Sequence, residues 1–221
     1  MHNIVSNLLS IQNELKIKIK KLNFENYNPN IVAVSKTFAI KDILPLINHG
    51  HLHFGENKVQ ESIEKWTSIK SDFKDIKLHM IGKLQTNKVK YVVPLFDYIH
   101  SVDSLKLAEK ISQQQVKNNK IMKLFIQINI GNENQKSGIL IDQLDNFYNK
   151  CTNDLGLNII GLMCLPPNDN KSQIYFSKMQ QLVRKLQLKD ISMGMSNDYL
   201  EAINYQSTYL RIGSKIFGER N

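Results

Sequence analysis

Hydrophobic residues open the chain at Val5, Leu8, Ile11, Leu15, Ile19 and Leu22. Spacings of three and four lay one apolar stripe along a helix spanning 1–23. Its run KIKIKK at 16–21 reads as the solvated face of that helix rather than a membrane anchor. Beyond an Asn-Pro turn at 28–30 the pattern changes. Short apolar runs of strand length recur at 31–35 (IVAVS), 51–55 (HLHFG), 77–82 (KLHMIG), 98–102 (YIHSV), 124–130 (LFIQINI), 159–163 (IIGLM), 190–194 (DISMG) and 209–213 (YLRIG), eight in all. Segments of helical period separate them at 40–49, 57–71, 85–93, 104–118, 140–151, 171–187 and 197–204. Near-continuous apolar strands suit a parallel sheet covered on both faces, and eight alternating units close into a barrel. The expected fold is α/β, a single-domain (β/α)8 TIM barrel over about 31–221 behind an extra N-terminal helix. A doubly wound open sheet is the rival. No linker, repeat or low-complexity tract divides 1–221.

Composition excludes several classes. At 42% hydrophobic and 22% charged, the chain is neither disordered nor fibrous. No apolar run approaches the roughly 18 residues of a membrane span, and the first residues lack a signal peptide's order. A cytoplasmic, monomeric protein without a membrane partner is expected. The two cysteines, Cys151 and Cys164, read as reduced core thiols. The formal charge of +9 rests on lysine, since only Arg184, Arg211 and Arg220 are arginines among 29 basic residues. Base readout favours the guanidinium fork, so specific nucleic-acid binding is not expected.

Reactive groups in such barrels sit where strands end. Lys36 directly follows IVAVS. At an apolar barrel mouth its amine is desolvated and available to attack an aldehyde, though a lone strand-end lysine can equally snorkel into solvent. The last two edges read SMGMSNDYLEAI (192–203) and STYLRIGSKIFGER (207–220). Gly194 and Gly213 admit a ligand close to the backbone, Ser196, Ser207 and Thr208 supply hydroxyls, and Ser196 precedes a helix, so both edges read as anion cradles. The alternatives are a helix cap at Ser196 and a strand end at Gly213. Arg211 lies inside an apolar strand and shares a face with Tyr209 and Gly213, so it can point into the lumen. There its buried guanidinium needs a partner, and a ring nitrogen is one. Asn57 and Ser101 are pocket or cap candidates. His51 and His53 share a strand face without a third ligand, so no metal is expected. Trp66 and the methionines read as packing.

Taken together, AVSK (33–36), FGENKVQE (54–61), IGKLQTNK (81–88), SVDS (101–104), INIGNENQKSG (128–138), GLM (161–163), SMGMSNDYLEAI and STYLRIGSKIFG resemble the pyridoxal phosphate homeostasis proteins, the YggS/PROSC-like family. The resemblance covers nearly the whole chain. It implies an alanine racemase N-terminal type barrel carrying pyridoxal 5'-phosphate as a covalent Schiff base on Lys36. It also implies Arg211 at the pyridine nitrogen, Asn57 beside the ring, and Gly194, Ser196, Ser207, Thr208 and Gly213 around the phosphate. The chain departs from the family at Gln206, where glycine usually precedes Ser-Thr. Glu133 and Lys136 match a family motif without a derivable role.

Three functions compete. The resemblance implies a non-catalytic protein that holds pyridoxal phosphate, passes it to apo-enzymes that need it, and thereby supports vitamin B6 and amino and keto acid balance. An amino-acid racemase is the alternative. It needs a second base, which the racemases place in a further domain not expected here, and an arginine at the ring nitrogen weakens the electron sink. A cofactor-free lysine aldolase is the third.

Overall fold

The computed structural model describes residues 3–133 and 135–219. Asn134 and Arg220, which belong to stretches quoted above, fall outside them. The apolar runs form eight parallel strands, β1 (Asn30–Val34), β2 (His53–Glu56), β3 (Lys77–Met80), β4 (Tyr98–Val102), β5 (Lys123–Ile128), β6 (Ile159–Cys164), β7 (Asp190–Ser192) and β8 (Tyr209–Ile212). They pair in sequence order and β8 returns to β1, closing the barrel. The open-sheet rival is thereby excluded. Around it lie α1 (Asn3–Lys21), α2 (Ile40–Asn48), α3 (Val59–Asp72), α4 (Val89–Leu95), α5 (Leu105–Asn118), α6 (Leu144–Asn149), α7 (Ser172–Lys185), α8 (Tyr199–Ile203) and α9 (Ser214–Phe217).

The stripe of α1 behaves as its spacing predicts: Val5, Leu8, Ile11 and Leu15 are buried. The helix packs against α2, α8 and α9. Asn7 donates to the Ile216 carbonyl at 2.9 Å, and the Tyr199 hydroxyl donates to Glu14. The first helix thus holds down the elements that follow the last two strands.

Strand edges differ from the apolar runs in two instructive places. β2 begins and ends later than its run and takes in Glu56, whose side chain is buried by partners described below. β7 stops at Ser192 because Gly194 turns the chain at φ +89°. A side chain at Gly194 would meet Ala202 of α8 at 2.7 Å, so this glycine is required by helix packing as well as by its backbone angle.

β7 and β8 share a single register pair, Ser192 with Tyr209. Side chains reinforce that seam. The Thr208 hydroxyl accepts from the Ile191 amide at 2.9 Å, and the Ser207 hydroxyl donates to the Met193 carbonyl at 2.7 Å. Just before them, Gln206 sits at φ +58°, a conformation that costs an L-residue about 1–2 kcal/mol. Gln206→Gly should therefore raise stability by up to about 1 kcal/mol, the relieved strain less the extra freedom of an unfolded glycine. A lowered urea midpoint would show instead that the glutamine side chain contributes packing.

Two apolar cores follow from closure. The larger lies between sheet and helices; the smaller, Val32, Tyr98, Phe125, Met163 and Tyr209, fills the lumen. No helix among the described residues is long and apolar enough to cross a membrane.

Candidate functional site

A cavity of about 810 Å3 opens at the C-terminal ends of the strands, lined among others by Lys36, Asn57, Ser196, Arg211, Gly213 and Ser214. Its size is that of a small-molecule site. Lys36 is the only lysine among the described lining residues.

The residue before Lys36 is held by a buried carboxylate on the adjacent strand, β2. Glu56 Oε1 accepts from the Ser35 hydroxyl at 2.7 Å, from Lys65 Nζ at 2.9 Å and from the Trp66 indole at 2.9 Å. Lys65 also donates to the Ser35 carbonyl at 2.9 Å, and Glu61 accepts the Thr37 amide at 2.6 Å. Both neighbours of Lys36 are thus tied to β2 and α3. Thr37 takes φ +69°, a left-handed turn that breaks the strand and releases the lysine at the mouth.

Arg211 enters from β8. Its side chain is buried, donating from Nη1 to the Ser192 hydroxyl at 2.5 Å and from Nη2 to the Cys164 carbonyl at 2.8 Å. Burial disfavours its charge, with Cys164 and Asp198 acting in the opposite sense. Two of its five N–H donors are engaged by these bonds, and the residue lines the cavity.

Where the chain leaves β7 and β8, the Ser196 hydroxyl accepts from the Gly213 and Lys215 amides, each at 3.3 Å. These long bonds draw the start of α9 against the turn after β7. A methyl at Gly213 would meet Val34 at an ordinary 3.5 Å, so packing within the chain does not demand glycine there. Asn57 approaches so closely that a side chain at Gly82 would lie 2.4 Å from its carbonyl. The Asn57 Oδ1 atom is buried without a hydrogen-bond partner, an orphan acceptor in a residue that lines the cavity.

Five of the eight site residues expected from sequence therefore meet at one cavity: Lys36, Asn57, Ser196, Arg211 and Gly213. The other three do not line it. Ser207 and Thr208 precede β8 and spend their hydroxyls on the β7 backbone, while the open face of Gly194 is filled by α8. Ser214, unremarked in the sequence, does line it. So do Pro166 and Pro167. Glu133 pairs with Lys136 at 2.6 Å, and Lys136 donates to the Pro166 carbonyl at 3.4 Å, so that motif braces the cavity rim.

Sequence reading also missed the Glu56 network, where Trp66 is a hydrogen-bond donor and not packing alone. It missed two lumen histidines, His79 and His100, both fully buried. Among the described residues no group of His, Cys, Asp or Glu side chains is placed to hold a metal ion. Cys151 and Cys164 are free and buried, their thiols pushed up to about 12 by burial, which leaves them unreactive.

Comparison with known proteins bears on this arrangement. The family model described as alanine racemase, N-terminal domain, matches residues 11–221, a span that takes in all eight strands. A pyridoxal phosphate homeostasis protein of Haemophilus influenzae is 36% identical, covering 99% of this chain and 97% of that protein. The chain belongs to the pyridoxal phosphate homeostasis protein family. Within this family, the solved structure of PipY from Synechococcus elongatus without PLP superposes with a TM-score of 0.87 at 31% identity, covering 97% of this chain and all of that one. PipY with PLP bound gives 0.80 at 30% identity, over 92% of this chain and 100% of that chain. The family assignment agrees with the barrel, its closure and its helical N-terminal extension.

Proposed function

We propose that this protein binds pyridoxal 5'-phosphate in the cavity at the strand ends, with Lys36 as the covalent anchor, and serves pyridoxal phosphate homeostasis without catalytic turnover. The observation that carries the reading is the meeting of one lysine, one buried arginine and one orphan amide oxygen in a single cavity. A family relative bears a name for pyridoxal phosphate homeostasis, and PipY has been solved with PLP bound.

The donor set fits the group. Its aldehyde condenses with a primary amine, releasing water, and Lys36 offers that amine. Arg211 would donate to the ring nitrogen while keeping its own proton. The phosphate would be held by Ser196, Ser214 and the amides at the start of α9, with Asn57 beside the ring. Ser207, Thr208 and Gly194 are left out of this set because the β7 backbone and α8 already engage them. Borohydride reduction of protein mixed with the cofactor, followed by peptide mapping, tests the assignment. The expected result is one adduct per chain, on Lys36.

The same inventory supports the reading that the protein lacks turnover. Moving a proton across both faces of a bound amino acid takes two positioned bases. Among the described lining residues Lys36 faces no tyrosine, histidine or cysteine, and of the two lining carboxylates, Asp198 and Glu219, Asp198 already accepts the Met195 amide at 2.6 Å. A hydrogen bond from guanidinium also leaves the ring unprotonated, which weakens the electron withdrawal that carbanion chemistry needs. Deuterium exchange at the alpha carbon of a panel of amino acids should stay far below about 1 per second. Faster exchange, lost in Lys36→Ala, would establish the racemase reading. Release of the held cofactor to apo-enzymes is the corresponding cellular role.

Arg211→Glu gives a further expected result. A carboxylate in that place favours a protonated ring, so the visible absorption of the bound cofactor should shift while the adduct on Lys36 still forms. An unchanged spectrum would place Arg211 away from the ring.

A further inference from the structure

The lumen of the barrel holds a continuous line of hydrogen bonds that ends at Arg211. His53 Nδ1 lies 2.9 Å from His79 Nε2, His79 Nδ1 lies 2.9 Å from His100 Nε2, and His100 Nδ1 lies 2.8 Å from the Ser192 hydroxyl. The Ser192 oxygen in turn receives Arg211 Nη1 at 2.5 Å. Tyr98 stacks on His79 at 4.1 Å and Phe125 on His100 at 4.3 Å, so aromatic faces seal the line on its flanks.

Proton order along this line is determined by its arginine end. A guanidinium donates only, so Ser192 accepts from it. Ser192 is fully buried and its hydroxyl has one other polar neighbour, His100 Nδ1. Its hydrogen must go there, because a buried donor left unmatched costs about 1–3 kcal/mol. His100 then carries its proton on Nε2 and gives it to His79 Nδ1; His79 likewise gives its Nε2 proton to His53 Nδ1. The last Nε2–H belongs to His53, which is half-buried and lines a second cavity of about 740 Å3 beside α1. Every imidazole is neutral, and every one turns its unprotonated, electron-rich nitrogen toward Arg211.

That alignment addresses a deficit. Among the described residues no carboxylate lies within ion-pair distance of Arg211. A buried cation without a carboxylate needs oriented dipoles instead. We propose that Ser192, His100, His79 and His53 form a proton-ordered chain that keeps Arg211 charged and fixed at the cavity, making Ser192, His100 and His79 positioning residues for the ring nitrogen of the ligand. The charged groups around the chain agree with neutral rings. Arg211 faces His100 at one end, and Lys77 and Lys123 face His53 at the other against Asp97 alone. Burial holds His79 and His100 well below the usual histidine range.

The ligand-dependent arm of the test rests on the reading that the cavity takes pyridoxal phosphate; the first arm does not. In the ligand-free chain, long-range nitrogen–proton correlation spectra of 15N-labelled protein at pH 7 should show His79 and His100 neutral with the proton on Nε2. A protonated ring, or a proton on Nδ1 of either, overturns the proposal. In the second arm Ser192→Ala should weaken pyridoxal phosphate binding by about tenfold and shift its bound absorption, and His100→Phe should shift it in the same direction. Ser192→Thr, which keeps the hydroxyl, should restore both. Unchanged affinity and spectrum in folded Ser192→Ala overturns the proposal, and this smallest change stands in for His100→Phe should that variant not fold. Wild-type protein that binds no pyridoxal phosphate would sink the functional reading while the tautomers still decide the chain.

Discussion

Lys36→Ala is expected to abolish the borohydride-fixed pyridoxal phosphate adduct completely while leaving the fold intact. The first half follows from uniqueness, since no other lysine is among the described residues lining the cavity. The second follows from where the side chain sits. Lys36 is beyond the buried run of β1, at the half-buried edge where the chain turns at Thr37, so truncation removes little apolar burial. A loss in unfolding free energy of no more than about 1 kcal/mol is expected, the ordinary size for a single substitution outside the core. Non-covalent binding through the remaining contacts should persist with reduced affinity. An adduct that survives in Lys36→Ala and maps to another lysine would defeat the assignment and leave the cavity in search of another ligand.

Glu56→Ala should produce the largest loss of stability of any single truncation near the site, about 3–5 kcal/mol. Glu56 is fully buried and the side chain of Lys65 is 7% exposed. Removing the carboxylate orphans the Trp66 indole and the Ser35 hydroxyl and takes from the Lys65 ammonium one of its two carboxylate partners. Lys65 retains Glu61 and the Ser35 carbonyl, which offsets part of the loss. Glu56→Gln keeps an acceptor and should lose less. Urea unfolding of the two variants gives the comparison, and a loss below about 1 kcal/mol in Glu56→Ala would mean that the network relaxes around the gap. In a folded population of Glu56→Ala, Lys36 should also form its adduct more slowly, because the Ser35 hydroxyl beside it loses its acceptor.

How far the sequence could be read depended on whether a residue's role was local. Strand runs were legible because alternation and apolar content are properties of a few neighbouring residues, and the barrel followed from their number. Lys36 and Arg211 were legible as charged residues at the end of, and inside, apolar strands. The same logic applied to His79 within KLHMIG and His100 within YIHSV would have marked them as lumen residues. Their connection would still have been hidden, since His100 meets Ser192 across 92 positions and only the register of distant strands brings them together. Ser207 and Thr208 were ambiguous for a related reason. A hydroxyl next to a strand can serve a ligand or the neighbouring backbone, and the shortness of β7, which brings the backbone within reach of both, is set by the turn at Gly194 rather than by any feature of Ser207 itself.

The thin ladder between β7 and β8 has a dynamic consequence. Local opening of a fold begins where fewest cross-strand bonds must break, and here one register pair, the backbone bonds from Thr208 to Ile191 and from Arg211 to Gly194, and two hydroxyls hold the cylinder shut. Opening is expected first at this slit, and faster hydrogen exchange of the β7 and β8 amides than of the other strands would show it. Ser196 follows one side of it and Gly213 the other, joined by a single long bond. An anion gripped by both would act as a clasp, quieting the slit while bound and departing when it gapes. Gripping the anion and letting it go would then share one motion.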